Sequence, residues 1–292
     1  MSESWTVILM AGVFMAALGG VLAWFLSLAS KRLYVFEDPR IDEVESCLPH
    51  SNCGACGTAG CRNFAEQVVS GAIVPARCSV NPPEMNAYIA GMLGVSMGEV
   101  ERQVARLACA GGHHVARMRA RYAGLKRCRA AAAVSGGGKD CTWGCLGLGD
   151  CESVCEFDAI RMNRFGLPEV DVARCTACGD CVDVCPKSLF SLQSIHHKLW
   201  VACKNQADGD TAEAQCAVAC TACEKCVADS PPGLMHMEGD LAVIDYAHND
   251  LASRKSIERC PTGAIVWLTD GQVTRGPAAK TIVRTTPLPL AA

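Results

Sequence analysis

The feature that most constrains this chain is its cysteine pattern: 21 cysteines, most of them in tight clusters of the Cys-x-x-Cys kind. A disulfide scaffold is usually a short secreted chain with an even number of cysteines. Here the chain runs to 292 residues and the number is odd. Thiols two residues apart bind metal more readily than they form separate bridges. The pattern therefore predicts a thiol-rich metalloprotein on the reducing side of a membrane. Only 5% of the residues are aromatic, too few for a large aromatic core. Small modules folded around inorganic centres fit that composition, because metal binding can supply folding free energy. With 27 basic against 30 acidic side chains the net charge is −3, which argues against nucleic acid as a partner.

The first cysteine group lies in SNCGACGTAGC, Ser51 to Cys61. Cys53, Cys56 and Cys61 follow a Cys-x2-Cys-x4-Cys spacing, with Cys78 further on. The glycines let the backbone curl so that three thiolates converge, and a cubane [4Fe–4S] needs four thiolates. Zinc is the alternative, but it usually takes two separated pairs. A helix is expected around Arg62–Ser70.

The second group holds Cys175, Cys178, Cys181 and Cys185 in C-x2-C-x2-C-x3-C-P, the run of bacterial ferredoxins, whose fourth cysteine ligates the other cluster. Upstream lie Cys141, Cys145, Cys151 and Cys155. Cross-ligation then predicts one cubane on Cys141, Cys145, Cys151 and Cys185, and a second on Cys155, Cys175, Cys178 and Cys181. The third group repeats the spacing in Cys220, Cys223 and Cys226, with a late Cys-Pro at Cys260–Pro261. FDAI at 157–160 and PTGAI at 261–265 occupy comparable places, which marks an internal repeat. Cross-ligation would place one cluster on Cys220, Cys223, Cys226 and Cys260. Its twin would fall on Ser230, Asp250, Ser253 and Ser256, where every thiol is missing. This reads as a degenerate copy that keeps one cubane; the alternative leaves Cys216 to complete a different site. Cys47, Cys109, Cys128, Cys203 and Cys216 remain, and free cysteine often serves as a small buried apolar residue.

Trp5 to Ala29 holds 25 residues without a charge. At ~1.5 Å per residue this gives about 37 Å of helix against a hydrocarbon core of ~30 Å. A signal peptide would have a basic start and a shorter apolar run; here Glu3 precedes the run, and Lys31 and Arg32 follow it. The positive-inside rule places the remainder in the cytoplasm. The predicted protein is α+β. Residues 1–32 are a transmembrane anchor and 33–98 a small α-rich iron–sulfur domain. Residues 99–139 form a basic helical linker region. A dicluster ferredoxin module at 140–198 and a degenerate one-cluster module at 199–272 follow, then a flexible tail at 273–292. No nucleotide-binding glycine motif, catalytic triad or carboxylate pair stands out: SGGGK at 135–139 lacks P-loop spacing. The chain has electron wiring without a complete active site, and no catalytic residue is assigned.

The anchor, LPHSNCGACGTAGC with Cys78, KDCTWGCLGLGDCESVCEFDAI and ARCTACGDCVDVCPKSLF, in this order, resemble the B subunit of the Rnf (Rsx) electron-transport complex. The likeness runs over roughly residues 1–270. Here Cys78 is followed by SVNPP instead of Pro-Gly-Gly, and Cys155 by Glu156 instead of Pro. The resemblance implies an electron-carrying subunit of a redox-driven ion translocase, single-pass in the cytoplasmic (inner) membrane with its N-terminus outside. It would carry [4Fe–4S] clusters, four by the spacing above. It would take electrons from soluble ferredoxin toward integral, flavin-bearing subunits, and the complex couples this to Na⁺ or H⁺ translocation and NAD reduction. Two other readings stay open: a carrier feeding a heterodisulfide-reductase-like oxidoreductase, and a zinc-stabilised membrane adaptor without redox role.

Overall fold

The computed structural model describes residues 2–33, 37–269 and 271–290. Helix α1 (Ser2–Arg32) contains the uncharged run. The stretch Trp5–Arg32 is long and apolar enough to cross a membrane, and none of it is buried in the protein. Lys31 and Arg32 close its last turn, where the helix dipole favours cations.

A small helical unit follows. Helix α2 (Pro39–Ser46) starts with Asp38 capping the Arg40 N–H and Pro39 in the first turn, two features that favour helix initiation. Helix α3 (Cys61–Val69) confirms the predicted helix, and α4 (Pro83–Leu93) ends at a left-handed Gly94. Val44, Phe64, Val68 and Ile89 form the core between them. Arg62 ties α3 to α2 through Glu45 at 2.8 Å and through Asp42, and it also pairs with Glu37 just before α2.

The rest of the chain builds two units with the same order of elements. The first comprises β1 (Gln103–Leu107), α5 (Cys128–Ala133), α6 (Asp150–Ser153), β2 (Ile160–Met162), β3 (Pro168–Val170), α7 (Asp180–Val184) and β4 (Phe190–Ser194). Its outer strands pair antiparallel, Val104 opposite Gln193, and its inner strands pair as a hairpin, Ile160 opposite Val170. The second comprises β5 (Leu199–Val201), α8 (Gly209–Gln215), α9 (Lys225–Asp229), β6 (Met235–Glu238), β7 (Leu241–Ile244), α10 (Lys255–Glu258) and β8 (Ile265–Thr269). Again the outer strands pair, Leu199 opposite Trp267, and the inner strands form a hairpin, Met235 opposite Ile244. Strand β9 (Gln272–Arg275) adds an edge to β8.

Two expectations are corrected. The region 99–139 is not a helical linker: β1 lies within it as an outer strand of the first unit, and its only α-helix among the described residues is the short α5. The many arginines suggest a solvated helix face, but Val104 and Ala105 are buried and pair with β4, and tertiary pairing overrides local preference. The tail at 273–292 is also more engaged than expected. Residues 273–275 belong to β9, the Leu288 N–H bonds the His113 carbonyl at 2.9 Å, and the Lys280 N–H bonds that of Pro261.

The repeat extends to the turns. Ala177 and Ala222, each immediately before the second cysteine of its Cys-x-x-Cys, both have positive φ, 61° and 49°. Gly179 (φ 98°) caps α7, and Glu224 (φ 57°) takes the corresponding place before α9. A Cβ on Gly179 would meet no atom within 4 Å, whereas one on Gly147 (φ 71°) would lie 2.7 Å from the Gly166 carbonyl oxygen. Gly179→Ala is expected to cost only the left-handed backbone term, about 1–2 kcal/mol. Gly147→Ala should cost clearly more, because backbone must also move. Denaturant midpoints of the anaerobically purified variants check this order.

Candidate metal centres

Three quartets of thiols each ring a cavity. Cys53, Cys56, Cys61 and Cys78 line one enclosing about 310 Å³ of space between atoms. Cys155, Cys175, Cys178 and Cys181 line a second of about 330 Å³. Cys220, Cys223, Cys226 and Cys260 line a third of about 320 Å³. These are three of the four sets that the sequence predicts. Of the fourth set, Cys145, Cys151 and Cys185 belong to the first of the two repeated units, with Cys151 and Cys185 close enough to interact electrostatically. Cys141 lines a different cavity, together with Cys109, Cys203 and Cys216.

The chain holds its thiols by backbone design. In the first quartet the Asn52 side chain accepts the Cys61 N–H at 2.8 Å, fixing the start of α3. Left-handed Gly54 and Gly57 fold the loop between. Cys78 comes from a separate turn, held by a buried amide pair that spacing does not reveal: Asn81 donates to Asn86 at 3.0 Å, and Asn86 donates to the Cys78 carbonyl at 3.1 Å. Here SVNPP supplies the bend through Asn81. In the second quartet the Ala105 N–H points at the Cys175 sulfur, 3.4 Å away, so β1 belongs to the site as well as to the sheet. The Leu189 N–H does the same for Cys185 at 3.4 Å. Such N–H···S bonds set the charge density of cluster thiolates.

Burial dominates the acidity of these groups. It pushes the Cys145, Cys151, Cys181 and Cys226 thiols up to about 12, with neighbouring thiols adding to the shift. Burial likewise raises Cys178 to about 11, and its hydrogen bond to Asp180 adds to this. Without metal these side chains are neutral thiols at pH 7, and a metal must displace their protons to bind. Among the described residues no three His, Cys, Asp or Glu are grouped as ligands of a single ion. Zinc draws its sulfurs in to about 2.3 Å from one point, whereas a cubane accepts four thiolates at the corners of an extended body. Quartets spread around cavities fit the cubane.

The comparisons with known proteins agree. A family model described as "Putative Fe-S cluster" matches residues 48–80. The B subunit of the Na(+)-translocating ferredoxin:NAD(+) oxidoreductase complex of Acetobacterium woodii is 37% identical over 240 residues, 82% of this chain and 72% of that protein. The B subunit of the ion-translocating oxidoreductase complex of Methanosarcina acetivorans is 34% identical over 86% of this chain and 95% of its own length. This chain belongs to the family of Rnf complex B subunits. As a member of that family it is a membrane-associated iron–sulfur electron-transfer protein. The B subunit of the proton-translocating ferredoxin:NAD(+) oxidoreductase complex of Clostridium ljungdahlii is 34% identical over 90% of this chain and 94% of its own length. That likeness extends across both repeated units.

Two outcomes are expected from this geometry. Cys178→Ser should remove one low-temperature EPR signal from the reduced protein and leave the others; an unchanged spectrum contradicts the assignment. Asn86→Ala leaves the Cys78 carbonyl and Asn81 unpaired, a loss of about 1–3 kcal/mol for buried polar groups. Iron should then be lost selectively and faster from the Cys53–Cys78 centre in a chelator time course.

Proposed function

We propose that this chain is a relay of one-electron centres on a single-pass anchor in the cytoplasmic membrane, N-terminus outside and thiol-bearing units in the cytoplasm. Soluble reduced ferredoxin is the donor. Integral, flavin-bearing subunits of an Rnf-type complex are the acceptors, and the complex couples this flow to Na⁺ or H⁺ translocation and NAD reduction. The two repeated units are read as dicluster ferredoxin modules, the second degenerate. Each bound [4Fe–4S] group supplies reversible one-electron chemistry at a potential set by its surroundings.

The protein's own residues do the positioning. Cys53, Cys56, Cys61 and Cys78 hold one centre; Cys155, Cys175, Cys178 and Cys181 a second; Cys220, Cys223, Cys226 and Cys260 a third. Cys145, Cys151 and Cys185 with one further thiol hold another. The observation that carries the reading is the contact between the first two quartets: the Ser79 hydroxyl, next to Cys78, donates to the carbonyl of Thr176, next to Cys175, at 2.6 Å. That bond joins the domain nearest the anchor to the first module and brings two centres together. Degeneracy of the second module is supported by Ser230 and Ser256, two of the four positions lacking thiols, which hydrogen-bond directly at 2.7 Å. The orientation rests on Lys31 and Arg32 at the end of α1. The names of the Acetobacterium and Clostridium relatives differ in the ion, so membership of the family leaves Na⁺ and H⁺ both open.

In anaerobic stopped-flow, reduced ferredoxin should bleach the visible absorbance of the purified chain. Bleaching by dithionite but not by ferredoxin would show that the donor is a different protein. Mild detergent extraction should recover the chain with flavin-bearing membrane subunits, and deletion of residues 1–33 should leave it in the soluble fraction with its iron retained.

A further inference from the structure

We propose that Cys109, Cys141, Cys203 and Cys216 hold an additional [4Fe–4S] centre, and that Cys128, not Cys141, completes the set of Cys145, Cys151 and Cys185. The inference rests on the iron–sulfur reading and adds a centre to it.

Four separate segments bring the thiols together. Cys109 follows β1 and Cys203 follows β5, and the Ala110 N–H bonds the Ala202 carbonyl at 2.9 Å, setting the two strand ends side by side. Cys216 is drawn in by bonds from the Ala217 N–H to Val115 and from the Arg117 N–H to Gln215. Cys141 is drawn in by the Asp140 N–H on the Arg117 carbonyl and by the bridge between Met118 and Lys139. The space between atoms at this cavity, its open mouth included, is about 330 Å³, matching the 310–330 Å³ of the three spacing-predicted quartets. Small residues such as Ala110, Gly111 and Ala202 line it beside the thiols, together with the larger Trp143, Lys204 and Asn205. A Cβ on Gly111 would sit 3.0 Å from the Cys216 sulfur and 3.7 Å from that of Cys109.

The surroundings suit thiolates rather than packed apolar thiols. The Cys203 sulfur accepts two backbone N–H groups, from Asn205 at 3.4 Å and Cys220 at 3.3 Å. Cys109 accepts the Cys145 N–H at 3.4 Å. Lys139 lines the cavity and is only 6% exposed. Its ammonium donates to the carbonyls of Gly111 and, at 2.7 Å, Cys145. Among the described residues no carboxylate pairs with it, and a buried cation without a counter-charge is costly. A cubane held by four thiolates is net negative and supplies that counter-charge; four neutral thiols do not.

Cys128 lies on the other side, at the first residue of α5. The Arg129 N–H bonds the Asp150 carboxylate at 3.3 Å, and the Arg127 guanidinium bonds the Ser153 hydroxyl at 3.4 Å. Both bonds fasten Cys128 to α6, which carries Cys151. Cys128 and Cys185 lie near Cys151, whereas Cys109 and Lys139 lie near Cys141. Twenty of the 21 cysteines are then ligands, and Cys47 alone is not. Through the Cys109–Cys145 and Cys203–Cys220 bonds the additional centre bridges the two repeated units. It would gain one electron as a reduced neighbour is oxidised, and pass it on in the same way.

The test is iron and acid-labile sulfide per chain, with EPR, on the anaerobically purified full chain. About 20 of each is expected, since each cubane contributes four irons; about 16, unchanged in Cys203→Ser and Cys216→Ser, overturns the proposal. Each of those variants should lose about four irons and the same EPR signal, with the other signals reporting an intact fold. The double variant Cys141→Ser/Cys203→Ser should also lose only about four; a loss of about eight would return Cys141 to the set of Cys145, Cys151 and Cys185. Cys128→Ser should remove a different signal, and Cys47→Ser none. Zinc without sulfide in the wild type would instead sink the iron–sulfur reading itself.

Discussion

Everything that follows helix α1 in this molecule depends on closing four thiols around a small cavity. The helices that carry ligands of the two later units are four to six residues long, too short to persist alone, and the strands of the first unit run to five residues at most. Cysteines make up much of the buried clusters: Cys151 and Cys181 pack with Ala105, Ile160 and Phe190 in the first unit, and Cys220, Cys226 and Cys260 with Leu199, Leu234 and Ile265 in the second. Deeply buried thiols stay protonated until metal displaces the proton. Loading and folding are therefore linked, and the inorganic groups take the place of the aromatic core that the chain lacks.

The same constraint explains why backbone N–H groups gather around the sulfurs. A thiolate in a low-dielectric setting needs donors, and side-chain donors would occupy the space of the metal group. Left-handed Ala177 and Ala222, before the second cysteines of Cys175–Cys178 and Cys220–Cys223, turn the peptide inward, the nest geometry that favours anions. Bonds of this type also cross between sites. The Cys145 N–H reaches Cys109, and the Cys220 N–H reaches Cys203, so the donors that stabilise one set of thiols belong to the loop of another. Closely spaced centres follow from this sharing of loops, and close spacing is what a one-electron relay requires.

Much of the molecule is legible in its sequence. The anchor, helix α3, the Cys53–Cys78 group and the two repeats all follow from local spacing and periodicity. The region after residue 99 misleads because arginine-rich sequence resembles a solvated helix, while Val104 and Ala105, the residues that matter for pairing with β4, are only two in a run of polar neighbours. The tail misleads for a similar reason: Pro and Thr suggest a free end, yet β9 finds an edge on β8. Lys139 reads as part of a glycine linker, and its burial beside thiols carries no mark in sequence.

By itself the sequence grouped thiols when at least three of them lie in one short loop, because closing a short loop leaves little choice of geometry. That covers Cys53 to Cys61, Cys175 to Cys181 and Cys220 to Cys226, while the fourth thiols of the last two groups came from the cross-ligation pattern of ferredoxin repeats. Where the thiols come from four distant segments, as with Cys109, Cys141, Cys203 and Cys216, spacing holds no information. Only the pairing of strand ends and the bridges around Ala116 and Met118 decided that they meet, since such contacts are fixed by the packing of the two units against each other rather than by any local run of residues.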